Sequence, residues 1–190
     1  MPTLQVITAP PKFASSRALA LRQYCTPVDI DSEEGRKQAL WVIQELFEVL
    51  YILGAGVGLA APQLGVLLRI FVVDDEQCDP IALINPEFSY LSLDTEEEVE
   101  GCLSIPGYLG RVTRAKEVKI QGISPTTWLP VEISATGYLA RVLQHEYDHL
   151  NGVLFVDHLE SIDVLEPAEP YGVVRARRTL QKLRIKPTAL

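Results

Sequence analysis

From Val49 to Leu68 the sequence reads VLYILGAGVGLAAPQLGVLL, twenty residues without a charge. A run of that length is nominally enough to cross a membrane as a helix. Four glycines, Pro62 and Gln63 stand inside it and argue against a span. The run divides better in two. Upstream, Leu40, Ile43, Phe47 and Leu50 recur at helical spacing, with Lys37, Gln44, Glu45 and Glu48 opposite them. The first half therefore completes an amphipathic helix of about twenty residues that stops at Leu53 or Gly54. Asp31 and Glu34 have capping-box-like spacing at its start. No membrane partner is expected.

The middle of the chain reads as strands. LRIFVV (68–73) and IALINP (81–86) are short apolar runs, while FSYLSL (88–93) and EVKIQGI (117–123) alternate. LPVEIS (129–134) can pair with the last of these across the turn residues 124–127. Helical periodicity returns at Gly137, where Leu139, Val142, Leu143 and Leu150 form a stripe that Asn151-Gly152 terminates. With 190 residues, 47% apolar and 22% charged, the chain suits one core. A formal charge of −8 argues against a surface given over to nucleic acid. Three cysteines (Cys25, Cys78, Cys102) cannot all pair internally, and the start MPTLQVITAPPKF lacks a secretory layout, so a cytoplasmic protein with reduced thiols is expected.

The late helix carries QHEYDHLNG (144–152). Residues four apart lie about 40° around and about 6 Å along a helix, so His145 and His149 project from one face. Two imidazole nitrogens can then share one metal ion, and the Glu146 carboxylate lies within reach of the water that the ion acidifies. The third ligand is open on spacing alone. Phe155 stands where one protease class has its last histidine, and His158 comes three residues later. Glu166 and Glu169 lie in a proline-bearing segment, while Cys102, in EGCLSIPG between expected strands, could complete a Cys/His/His site.

GVGLAAPQ (56–63), EGCLS (100–104) and QHEYDH (144–149), in this order, resemble the three signatures of the peptide deformylase family over about residues 4–160. The resemblance implies removal of the formyl group from the N-terminal formyl-methionine of nascent proteins, with release of formate. It implies Cys102, His145 and His149 as metal ligands, Glu146 as general acid/base, and Gln63 with the Leu103 N–H as the oxyanion site. Fe(II) is the implied ion, with Zn(II), Ni(II) or Co(II) as substitutes. Gly56, Val57 and Gly58 are expected to leave room for an extended peptide, which could add to the chain as a strand. Tyr138 and Val142, earlier on the same helix, are candidates for a methionine pocket. Many bacterial members carry arginine where this chain has Leu109, which puts peptide preference in question. An HExxH metallopeptidase and a non-catalytic peptide-binding relative are the competing readings.

The expected architecture is α+β: mainly antiparallel sheets around a central metal-binding helix, with an N-terminal helix and a C-terminal helix. Residues 1–160 form the catalytic domain. Residues 161–190 form a basic tail, with Arg175, Arg177, Arg178, Lys182, Arg184 and Lys186 in a helix-compatible stretch that could dock on ribosomal RNA. Asp148 is expected to pair with Arg114; Glu100 could brace the ligand loop, but a solvated acid at the end of TEEEVE is the stronger expectation.

Overall fold

The computed structural model describes residues 5–8, 18–75 and 79–167. The expected C-terminal helix with its six basic residues, and Cys78, lie outside the described residues. Among the described residues there are two α-helices, α1 (Glu33–Leu53) and α2 (Gly137–Leu150), and eight strands: β1 (Gly58–Ala60), β2 (Ile70–Val73), β3 (Ile81–Leu91), β4 (Thr95–Cys102), β5 (Ile105–Ala115), β6 (Glu117–Ile123), β7 (Pro130–Thr136) and β8 (Glu166–Pro167). One sheet has the order β1-β2-β3-β6-β7 and the other β4-β5-β8. All their strand pairs are antiparallel, which gives the expected α+β class.

β2 explains how the layers assemble. All four of its residues are buried because both sheet faces are covered. Ile70 and Val72 pack with Val42, Leu46 and Val49 of α1, whereas Phe71 and Val73 pack with Ala140, Leu143 and Leu150 of α2. Burying each such side chain contributes about 1.5–3 kcal/mol. A third cluster, Cys102, Ile105, Val112, Leu154 and Phe155, closes the β4–β5 hairpin against the segment after α2. α2 therefore lies in the middle and touches both sheets.

Several local expectations need correction. The cap of α1 is Ser32, whose Oγ accepts from the Gly35 N–H at 3.0 Å, while the Asp31 N–H bonds Asp29 Oδ1. The buried face centres on Val42, Leu46 and Val49, so Leu40 and Phe47 flank it. The far end agrees: Gly54 caps α1 in the left-handed region at φ 58°. The runs 81–86 and 88–93 merge into the single strand β3, with register shifts after Ile84 and Phe88 and Asn85 at φ 50°. After α2, residues 162–164 make a 3₁₀ turn and β8 pairs with Tyr108 and Leu109 of β5, so the first residues of the tail lie on the sheet. Among the described residues no helix is long and apolar enough to cross a membrane.

Candidate active site

The β4–β5 turn brings Cys102 to the face of α2 that carries the histidines. One ligand atom each from Cys102, His145 and His149 lies within 4.8 Å of the others. Cys102 Sγ is 3.4 Å from His149 Nε2, and the two imidazoles stand nearly perpendicular at 5.0 Å between centroids. The other ligand candidates are elsewhere. His158 Nε2 is 2.7 Å from Asp148 Oδ2, Glu166 is exposed on β8, and Glu169 lies outside the described residues. Phe155 stacks on the His145 ring at 6.4 Å.

Glu100, for which a solvated acid was the stronger expectation and a brace of the ligand loop the weaker, is not solvated: only 6% of its surface is exposed. Its carboxylate accepts from Arg114 Nε at 2.9 Å, Arg114 Nη2 at 3.1 Å and Arg141 Nη1 at 2.8 Å, and it meets His145 Nδ1 at 2.9 Å. A carboxylate only accepts, so Nδ1 carries the hydrogen and Nε2 is left for a metal. Burial alone would raise the Glu100 pKa, but hydrogen bonds and charge from His145 and Arg114 outweigh it and hold the group well below the usual carboxylate range. A local signal did exist. Glu100 is two residues before Cys102 on a strand, hence on the same face, and Arg141 precedes His145 by one helical turn. Arg114 also bonds Asp148 at 2.6 Å, as expected.

Glu146 is 4% exposed and packs directly on Gly58, where an added Cβ would meet its Oε1 at 2.4 Å. Gly58 thus makes room for this carboxylate on the wall of the cavity. At Gly56, φ is +80° and an added Cβ would approach Leu103 Cδ1 to 3.3 Å. Glu146 Oε2 is buried and without a hydrogen bond among the described residues. Burial pushes its pKa up to about 7, against the charge of His145. Gln63 sits in the 3₁₀ turn after β1. Its Oε1 accepts from the Ala60 N–H at 2.8 Å, and its Nε2 points to Ser104 Oγ at 3.2 Å and Cys102 Sγ at 3.7 Å.

Gln63, Glu100, Cys102, His145 and Glu146 line one cavity of about 240 Å³ together with Gly56, Val57, Gly58, Leu103, Leu109, Tyr138 and Val142. Val142 is buried and Tyr138 half exposed at the rim. The donor set fits a divalent metal. Burial pulls both histidines toward the neutral form, and His149 stays well below its ordinary value. At His145, hydrogen bonds to Cys102 and Glu100 outweigh burial and raise the pKa well above normal.

The family model described as polypeptide deformylase matches residues 10–164. A peptide deformylase of Pseudothermotoga lettingae is 50% identical over 120 residues, covering 63% of this chain and 68% of the relative. One from Chromohalobacter salexigens is 42% identical over 144 residues, 75% of this chain and 81% of the relative. The crystal structure of peptide deformylase from Thermotoga maritima superposes with a TM-score of 0.71 at 35% identity, covering 85% of this chain and all of that one.

Proposed function

The chain belongs to the peptide deformylase family, and from that premise we propose how its own residues carry out the hydrolysis of N-formylmethionyl peptides to formate and a free amine. Cys102, His145 and His149 would hold the metal, Fe(II) in the native enzyme with Zn(II), Ni(II) or Co(II) as substitutes. When bound, the ion acts as a Lewis acid toward water and the formyl oxygen. The observation that carries the reading is Glu146: a buried carboxylate, with one oxygen unpartnered among the described residues, beside the converging ligand atoms.

Glu146 accepts a proton from the attacking water and delivers it to the departing nitrogen as the C–N bond breaks. Gln63 Nε2 and the Leu103 N–H donate to the oxygen that becomes negative when water adds to the formyl carbon; losing such a donor typically costs about a hundredfold in rate. Among the described residues β1 pairs only with β2 in its sheet, which leaves its other edge for an extended substrate, as the expected strand addition requires. Val142 and Tyr138 line the methionine pocket, with Gly56, Val57 and Gly58 along its wall. Leu109 presents an apolar side chain toward the residues that follow methionine.

The test is formate release from formyl-Met-Ala-Ser by Fe(II)-loaded protein prepared without oxygen, beside Glu146→Gln at equal metal content. We expect turnover by the parent and a fall of about a thousandfold in the variant, within the span of general acid/base effects. No release by the metal-loaded parent would overturn the reading. Nascent chains as substrate suit a cytoplasmic enzyme, in which a buried thiol such as Cys25 stays reduced. Arg175, Arg177, Arg178, Lys182, Arg184 and Lys186 supply the charge for docking on ribosomal RNA. Salt-sensitive cosedimentation with ribosomes, abolished by removal of residues 168–190, is the expected result; salt-independent or absent binding would refute it.

A further inference from the structure

We infer that Ser104 is a positioning residue for the oxyanion site, orienting the Gln63 amide so that a single N–H is presented to the substrate. The inference rests on the reading of Gln63 as an oxyanion donor. A glutamine amide offers one oxygen acceptor and two N–H donors. The oxygen is engaged by the Ala60 N–H at 2.8 Å, and because only an oxygen can accept there, the amide cannot be reversed. Held at that end alone, its plane could still turn, since the last torsion of a glutamine is broad. Ser104 Oγ, fully buried, accepts from Nε2 at 3.2 Å and fixes the plane. One N–H is thereby used by Ser104, and the other, on the cavity side, donates to Cys102 Sγ at 3.7 Å, a long contact to a weak acceptor that an oxyanion would displace.

The backbone of Ser104 is tied to the same sulfur, its N–H donating to Cys102 Sγ at 3.4 Å. One residue thus sets the distance between the oxyanion donor and the metal-ligand sulfur: its main chain holds the sulfur and its hydroxyl holds the donor. The two attachments can be separated, because Ser104→Ala keeps the N–H and removes only the hydroxyl.

The experiment compares metal-loaded parent, Ser104→Ala, Gln63→Ala and the double variant for kcat, KM and metal content, and follows the Gln63 side-chain amide resonances by NMR in the Zn(II)-loaded parent and Ser104→Ala. Ser104→Ala is expected to lower kcat about tenfold, the scale of one hydrogen bond, with KM and metal content unchanged and the Gln63 amide signals shifted. In the Gln63→Ala background it should cost nothing further. Losses that multiply in the double variant, unshifted Gln63 signals, or a loss of metal from Ser104→Ala would each overturn the inference. A fall in Gln63→Ala with none in Ser104→Ala would remove the Ser104 role alone. Parental kcat in Gln63→Ala would remove the donor reading and this inference with it.

Discussion

The two α-helices are held in place by different physics. The buried residues of α1 are Ala39, Val42, Ile43, Leu46, Val49 and Leu50, all apolar. Those of α2 include Arg141, Gln144, Glu146 and His149 among Ala140, Val142, Leu143 and Leu150. Apolar burial is non-directional, so it stabilises α1 without fixing its rotation sharply. Hydrogen bonds are directional. Gln144 bonds both the N–H and the carbonyl of Ala115, and Arg141 reaches the carbonyls of Val112 and Glu96 as well as Glu100. α2 is therefore pinned to the β4–β5 hairpin at several points, which holds the two histidines in register with Cys102. The helix that supplies the core is positioned by area, and the helix that supplies the ligands is positioned by named atoms.

Glu100→Gln should break this arrangement most severely. It leaves the buried Arg114 and Arg141 facing a neutral group, and loss of one partner from a buried ion pair typically costs about 3–5 kcal/mol. It also weakens the hold on His145, for which a loss of about 10–100-fold in metal affinity is expected. Its pH dependence follows from the sign of the shift. The folded-state pKa of Glu100 lies below its ordinary 4.5, so its contribution is fully present above that pH and declines as pH falls toward the folded value. The stability gap between parent and Glu100→Gln should accordingly be widest near neutrality and narrow below about pH 4.5. Urea unfolding from pH 3 to 7 and competition with a chromophoric chelator measure the two effects. An equal gap at every pH, or unchanged metal affinity, would separate Glu100 from the role described.

The same contrast explains what could be read in advance. α2 was legible almost residue for residue, because a 3.6-residue stripe and the HExxH spacing agree on one element. α1 was legible in extent, yet its cap shifted by one residue because Ser32, not Asp31, has its oxygen placed for the Gly35 N–H. The β4 strand was not visible: TEEEVE is acidic, and its alternation is masked because both parities carry glutamate. What buries Glu100 is Arg114, fourteen residues away, and Arg141, forty-one away. Such partners leave no local periodicity. Gly58 lines the cavity, but the carboxylate that its missing side chain accommodates comes from α2, a neighbour the sequence did not indicate. His145 and His149 were legible from helical spacing, whereas Cys102 was one open candidate on spacing and was singled out by the family resemblance; the three converge in the structure.

Leu46→Ala tests the other half of the comparison. Leu46 is fully buried in the cluster under α1, and its truncation should cost about 3 kcal/mol, within the span measured for buried leucines. The effect should appear in the unfolding midpoint and nowhere else if area alone positions α1. The prediction is demanding, because Leu59 and Ala61 belong to the same cluster and lie within four residues of Gln63. A cavity at Leu46 that relaxed through them would move the oxyanion donor, and kcat would fall while metal affinity stayed constant. A kcat within about threefold of parental, less than one typical hydrogen bond is worth, would keep stability and catalysis assigned to separate helices. A larger fall would mean that β1 transmits core packing into the site, and that the division between the two helices ends at Leu59.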